Sequence, residues 1–324
     1  QPPAALSGVG RGACEVVMLG TAASVPGKYR NVSGIYLDLP GRGGVLLDCG
    51  EGSLGQLSRR YGREALAGKL LGIKLVWISH MHADHHLGLL RVLSHRAAAC
   101  RAAGLPEERL TVVGPPPLSK WLKTYASFDS APYDLVHNAR LFPSNEWVGA
   151  GCRAVLRGLL AGGLGVDVVT VPVKHSCRDA CAVVVSGRPA EEGGRSPWKV
   201  AYSGDTRPCQ SLIDAGQGAT LLIHEATLDT PLLEDAKAKQ HSTTGEALGV
   251  GRRMGAYRTL LTHFSQRYPK VPPLDEVCAE GSAAVAFDLM SVDLADLGAL
   301  PAMMPPLARL ARDQGWHSLY GEAE

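Results

Sequence analysis

The chain has 324 residues, a formal charge of +2 and 45% hydrophobic residues, enough apolar material for one large α/β domain or two small ones. No run reaches the roughly 18 uninterrupted apolar residues of a membrane helix, so no span is expected. A charge this small neither requires nor forbids a nucleic-acid partner, so any basic footprint must be local. Arg59-Arg60-Tyr61-Gly62-Arg63, Gly251-Arg252-Arg253 and Gln266-Arg267-Tyr268-Pro269-Lys270 are the candidates. Eight cysteines are scattered without a C-x-x-C pair, the usage of a reducing compartment.

Residues 1–12 start with Gln, are rich in Pro, Gly and Ala, and read as a linker or truncated end of something longer. Alternating or continuous apolar runs then predict strands at 15–19, 33–39 and 44–47, the last running into Asp48-Cys49-Gly50-Glu51-Gly52. A helix over 53–61, a strand over 74–79 and a helix from about residue 84 follow. Residues 110–113 form a further strand stopped by Gly114-Pro115-Pro116-Pro117, and 118–125 read as helix. The stretch 126–165 shows no clear periodicity and reads as the variable region. Beyond it, strands are expected at 168–173, 182–186, 199–203, 221–223, 259–262 and 284–287, with a helix over 244–254 and a polar loop near 189–196. Strand runs in both halves, each followed by helices, predict two packed sheets with helices outside, an α/β fold. No internal boundary is visible, so 13–300 reads as one domain and 301–324 as a Pro-punctuated, helical tail.

The chemistry concentrates at His80-Met81-His82-Ala83-Asp84-His85, between the apolar strand at 74–79 and the helix after it. Three imidazoles and a carboxylate in six residues are a metal-ligand density that folding alone rarely demands. His80 and His82, two apart in extended backbone, can point to one side, while Asp84 and His85 on the following turn serve a neighbouring position. That geometry suits two adjacent ions. Two ions need about seven or eight ligands, and strand ends hold such side chains most rigidly. His175 after Val171-Pro172-Val173, Asp205 after Ala201-Tyr202-Ser203-Gly204, and His263 after Leu260-Leu261-Thr262 supply the missing types. The allocation is His80, His82 and His175 on one ion, Asp84, His85 and His263 on the other, with Asp205 bridging. An all N/O set suits zinc, with manganese or iron as the alternatives. Asp48 is either the residue that orients one of the imidazoles or an ordinary turn aspartate.

Assembled, these residues resemble the metallo-β-lactamase superfamily, and within it tRNase Z, the tRNA 3′-processing endonuclease. The finer match is carried by Leu19-Gly20-Thr21 with Pro26-Gly27-Lys28-Tyr29-Arg30-Asn31-Val32-Ser33 and by Tyr202-Ser203-Gly204-Asp205-Thr206-Arg207-Pro208-Cys209. His224-Glu225-Ala226-Thr227, His241-Ser242-Thr243-Thr244 and His263-Phe264-Ser265-Gln266-Arg267-Tyr268 complete it. The Pro-x-Lys-x-Arg-Asn form is similar to the long-form branch, in which only the carboxy-terminal of two related halves keeps the ligands. The resemblance implies the αββα sandwich, two zinc ions per chain and a precursor tRNA substrate. It also implies an absent amino-terminal half carrying the tRNA-gripping arm, and a nuclear or mitochondrial location.

Hydroxide attack on the phosphodiester after the discriminator base would leave a 3′ hydroxyl, and the departing oxygen needs a proton. His241 is the candidate acid and Glu225 its orienting carboxylate; both could equally form a structural hydrogen bond, and the resemblance implies the catalytic pair. Asp84 is a candidate for taking the proton of the attacking water. Backbone N–H groups at Thr243 and Thr244, a predicted helix start, are candidate phosphate contacts, and Lys28, Arg30 and Asn31 candidate contacts to the acceptor end. Residues 286–288 are expected to shape the pocket that rejects a mature CCA end. A small-molecule thioesterase or phosphodiesterase of the same superfamily, and a non-catalytic RNA-binding half, are the competing readings.

Overall fold

Side chains alternate across a strand, and that period of two decides how the layers stack in this chain. The computed structural model describes residues 6–106, 108–129, 131–142, 163–188 and 197–316. Numbered in chain order, the strands of the first sheet are β1 (Glu15–Gly20), β2 (Gly34–Leu39), β3 (Gly43–Cys49), β4 (Ile73–Trp77), β5 (Leu110–Gly114), β6 (Tyr133–His137) and β13 (Ser291–Asp293). The second sheet contains β7 (Val166–Pro172), β8 (Cys181–Gly187), β9 (Lys199–Tyr202), β10 (Leu221–Glu225), β11 (Arg258–Thr262) and β12 (Ala283–Val285). Their spatial orders are β13-β1-β2-β3-β4-β5-β6 and β12-β11-β10-β9-β8-β7. Both sheets are mixed. β3 to β6 pair in parallel, as do β9 to β12, and the remaining neighbours are antiparallel.

Odd and even positions of one strand enter different cores. On β1, Val16 and Met18 face the other sheet, while Val17 and Leu19 face outward. On β8, Val183 and Val185 join the inter-sheet core, and Ala182 and Val184 the outer one. The outer face of the first sheet is covered by α1 (Ser53–Gly72), α3 (Leu89–Ala102) and α4 (Pro117–Tyr125), through Leu57, Leu70, Leu89, Val92, Leu93, Leu118 and Leu122. The second is covered by α5 (Gln210–Ala215) and α7 (Thr244–Met254), through Leu212, Ile213, Val250 and Met254. The result is the αββα sandwich expected from the sequence. The short helix α2 (Ala83–His86), α6 (Leu233–Lys239), α8 (Asp275–Glu280) and α9 (Met304–Asp313) complete the set.

Three departures from the sequence reading have local causes. α1 is broken at Gly62 (φ 81°, ψ 161°), close to the expected end at residue 61, and what the sequence reading lacked is the second helical segment beyond it, which carries Leu70 to the outer core. Residues 133–137 form β6 inside the stretch that lacked periodicity, with only Val136 buried, so no alternation announces it. β13 is three residues long, too short to show a pattern, yet it pairs with β1 from Glu15 to Val17. α9 begins at Met304 with prolines at its first turn, where a missing N–H costs nothing, and lays Met304, Ala308 and Ala311 against the core. The loop over 189–196 and residues 143–162 lie outside the described residues.

The parallel halves matter for function. β3, β4, β9, β10 and β11 all end on one edge of the sandwich, where side chains beyond the strand ends are rigidly based and open to a ligand. Leu37, fully buried between the sheets, tests the inter-sheet core. Leu37→Ala should cost about 2–5 kcal/mol in urea unfolding, whereas Leu310→Ala on the exposed side of α9 should stay within about 0.5 kcal/mol.

Candidate metal centre

The edge defined by those strand ends gathers the seven ligand candidates into two groups. His80, His82, His175 and Asp205 form one, and Asp84, His85 and His263 the other, with donor atoms inside each group no more than 4.8 Å apart. Asp205 lies between them. Its Oδ2 is 3.6 Å from His80 Nε2, 3.8 Å from His175 Nε2 and 3.3 Å from His85 Nε2, while Oδ1 is 3.3 Å from His263 Nε2. Each residue arrives by its expected route: His80 and His82 after β4, Asp84 and His85 on α2, His175 after β7, Asp205 after β9 and His263 after β11.

Whether the pocket fits a cation is decided by the other ring nitrogens. His80 Nδ1 meets Ser79 Oγ at 2.9 Å, His85 Nδ1 meets Asp48 Oδ2 at 2.7 Å, His175 Nδ1 meets the Gln240 carbonyl at 3.0 Å, and His263 Nδ1 meets Thr227 Oγ1 at 2.9 Å. In all four, Nδ1 is engaged by the protein and Nε2 turns inward. His80 Nε2 is buried with no hydrogen-bond partner among the described residues. His175 Nε2 stands 3.1 Å from His82 Nδ1, and His85 Nε2 stands 3.4 Å from His263 Nε2. Lone pairs brought this close, against two carboxylates, call for a positive charge among them.

The electrostatics divide the imidazoles: three are held neutral, while His85 without a cation beside it favours the charged form. Burial holds His80 well below the ordinary histidine range, and lowers His82 and His175 too, keeping them in the neutral form that ligates. At His85 burial also works against the charged form, but the carboxylates of Asp205, Asp48 and Asp84 overcome it and push the ring well above its usual range. Asp205 is itself held well below the carboxylate range, because the facing imidazoles outweigh its burial. The donors are nitrogen and oxygen only, a set that zinc accepts in preference to softer ions.

Asp48 is fully buried and accepts four hydrogen bonds: from Ser79 N–H at 2.7 Å, Ser79 Oγ at 2.8 Å, Tyr202 Oη at 2.9 Å and His85 Nδ1. Its backbone is left-handed (φ 55°), as are those of His263 (φ 60°), Gln240 (φ 58°) and Ser24 (φ 68°), whose N–H donates to Asp84 Oδ2 at 2.7 Å. Four of the five such non-glycine residues among those described thus border the centre, and strain of this kind persists only where packing and hydrogen bonds over-determine it. Gly50 permits the tight fit beneath α2; a Cβ there would stand 2.2 Å from the Asp84 carbonyl oxygen.

Beside the second group, His241 Nδ1 is 2.8 Å from Glu225 Oε1. Glu225 is fully buried, and its oxygens also accept from Thr206 N–H, Thr227 Oγ1 and Ser242 N–H at 2.8, 2.6 and 3.1 Å. Burial disfavours the His241 cation, but the Glu225 carboxylate overrides it and raises the imidazole to about 9. His241 Nδ1 is also 4.0 Å from Asp205, and His241 forms a third donor group with Asp205 and His263, although its Nδ1 is committed to Glu225. His224 is a buried neighbour whose Nδ1 lies 2.7 Å from the Glu225 carbonyl.

The candidates for substrate contact fare differently. Thr243 caps α7 in a reciprocal capping box with Glu246, which spends its N–H, and the Thr244 N–H donates to the Leu228 carbonyl. Neither N–H is free for phosphate, which corrects that expectation. Arg30 is also corrected: it is buried, donates to Thr21 Oγ1 and to the Ala286 and Lys270 carbonyls, and sits between the Phe264 and Phe287 rings at 4.9 and 5.1 Å. Asn31 uses its N–H and carbonyl within the fold, on Asp288 and on Thr21 and Ala22. Lys28 is exposed, over the Tyr29 ring. Ser79, Tyr202, Thr227 and Arg207 escaped the sequence reading, although Tyr202, Thr227 and Arg207 stand inside the quoted motifs.

A fold of this kind, with this edge and this set of imidazoles and carboxylates, defines a class. The chain belongs to the family described as the beta-lactamase superfamily domain, whose model matches residues 44–264. Among its relatives, a mitochondrial tRNase Z of Arabidopsis thaliana is 39% identical over 96% of this chain, and zinc phosphodiesterase ELAC protein 2 of Homo sapiens is 40% identical over 91% of it. The chain spans only 38% and 35% of those relatives' lengths. The crystal structure of a long-form RNase Z from yeast superposes with a TM-score of 0.81, at 28% identity, over 92% of this chain and 44% of that one.

Removal of the Asp48 carboxylate should loosen the imidazole it holds. Asp48→Asn is expected to weaken metal binding about 10–100-fold in competition with a coloured chelator, with an unchanged circular dichroism spectrum.

Proposed function

We propose that this chain is the catalytic half of a zinc-dependent endoribonuclease that removes the 3′ trailer of precursor tRNA after the discriminator base. The observation that carries the reading is the buried Glu225–His241 pair set against the ligand cluster, on a chain 39% identical to a tRNase Z. A hydrolase of small, activated esters has no need for such a proton donor, whereas a sugar 3′ oxygen does.

Two zinc ions held by His80, His82 and His175 and by Asp84, His85 and His263, with Asp205 between, would supply a nucleophile at neutral pH and offset charge on the phosphate. The protein's own groups do the rest. Asp84, anchored by the Ser24 N–H, accepts the proton of the attacking water. As the new oxygen–phosphorus bond forms, the bond to the 3′ oxygen breaks on the opposite side. His241, with Nδ1–H given to Glu225, delivers its Nε2 proton to that oxygen. The tRNA keeps a 3′ hydroxyl and the trailer leaves with a 5′ phosphate. Lys28, exposed over the Tyr29 ring, is the remaining candidate for holding the acceptor end.

Residues 13–300 act as one catalytic domain, against whose core α9 packs Met304, Ala308 and Ala311. The amino-terminal half of the same long protein is the proposed partner, since the matched relatives are more than twice as long. The names of two Arabidopsis thaliana relatives favour a mitochondrial site of action over a nuclear one. Among the described residues, no helix is long and apolar enough to cross a membrane.

With the full-length protein, precursor tRNA should be cut once, and His241→Ala should lower kcat by about 10²–10⁴-fold. An unimpaired variant, or a 3′ phosphate on the tRNA, would overturn the proposal. The acid must carry its proton, so kcat should fall as pH rises through about 9, the His241 value. Glu225→Gln removes the charge that raises it and should move that alkaline limb down toward about 6.5, the value of an unperturbed histidine.

A further inference from the structure

Placing a proton donor requires more than its carboxylate partner, and the loop 240–243 has an unusual fixing. Gln240 is left-handed and receives His175 Nδ1–H on its carbonyl; the His241 N–H donates to the Ala236 carbonyl, and Ser242 Oγ to the Thr206 carbonyl at 2.6 Å. The His241 carbonyl is taken by one side chain, Arg207, whose Nη1 donates to it at 2.6 Å. The same Nη1 reaches Glu246 Oε2 at 2.8 Å, and Nη2 pairs with Glu246 Oε1, so the guanidinium grips that carboxylate with both arms. Glu246 in turn closes the capping box with Thr243 at the start of α7. At its backbone, Arg207 N–H donates to the Lys174 carbonyl at 2.8 Å, one residue before His175.

Arg207 therefore joins three pieces: the turn two residues after Asp205, the segment entering His175, and the loop bearing His241. We infer that Arg207, locked by Glu246, is a positioning residue for the proton donor, setting where the His241 ring stands relative to the departing oxygen. It acts through the His241 carbonyl and makes no contact with the seven ligand candidates among the contacts described. A lysine could keep the charge but has no planar fork with which to hold carboxylate and carbonyl together. Its guanidinium is half-buried, and its charge is matched by Glu246. The pair thus presents little net charge to phosphate.

The inference rests on the reading of His241 as the acid, and a substrate pair separates the two. A 3′ ribose oxygen needs protonation; 4-nitrophenolate leaves without it. In the full-length protein, Arg207→Gln and Arg207→Lys should each lower kcat on precursor tRNA by ~10-fold or more, of the order that one misplaced acid costs. KM should stay within about twofold, and so should metal content and turnover of bis(4-nitrophenyl) phosphate. Added to His241→Ala, Arg207→Gln should cost nothing further, because two residues serving one step are not additive. Equal losses on both substrates, with metal loss, would instead make Arg207 a structural prop of the centre. A rise in KM alone would make it a phosphate contact, and full additivity with His241→Ala would also overturn the inference. If His241→Ala itself leaves tRNA cleavage intact, the underlying functional reading fails; if only the Arg207 variants do, this inference fails alone.

Discussion

One buried carboxylate carries the architecture of this site. Asp48 sits at the end of β3 with no exposure to solvent, and an ionised group there survives only with its lone pairs filled. It fills them from three directions: Ser79 beyond β4, His85 on α2, and Tyr202 at the end of β9 in the opposite sheet. The two sheets are thereby tied at the edge where the ligand candidates emerge. The fold needs Asp48 satisfied, and satisfying it aims His85 inward; a single interaction serves stability and chemistry at once.

Three more imidazoles follow the same rule. His80, His175 and His263 each give Nδ1 to a rigid neighbour — a hydroxyl or a backbone carbonyl — and leave Nε2 to face the cluster. The sheets supply the rigidity. Because β3, β4, β9, β10 and β11 all finish on one side, five separate stretches of sequence deliver functional residues to a shared edge without long loops. Left-handed backbone at Asp48, Gln240 and His263 turns the chain sharply enough to keep those side chains there.

What the sequence made legible was the chemistry that proteins encode locally. H-x-H-x-D-H is a dense cluster within six residues, and His175, Asp205 and His263 each follow an apolar run that reads as a strand. The layers were readable too, though not by alternation: β1 and β8 are continuous apolar runs, the pattern of strands buried on both faces. Hydrogen-bond partners were not, because Thr227, Ser79 and Tyr202 acquire their roles only through contacts made by folding. Arg30 illustrates the opposite error. A cation in a turn reads as a candidate contact to the acceptor end, and nothing nearby in sequence announces the two phenylalanines that enclose it. For Thr243, however, the signal was present: a threonine followed three residues later by Glu246 is the pattern of a capping box, which consumes the N–H that a phosphate would need.

The Thr227 hydroxyl lies within reach of both Glu225 Oε2, at 2.6 Å, and His263 Nδ1, at 2.9 Å. Its one hydrogen goes to the carboxylate, so its lone pair receives the imidazole N–H. A cation arriving at the far nitrogen of His263 would make that N–H more acidic, polarise the hydroxyl and draw electron density from Glu225. A charge placed on His263 would therefore be felt at Glu225, relayed through one oxygen atom of an uncharged side chain.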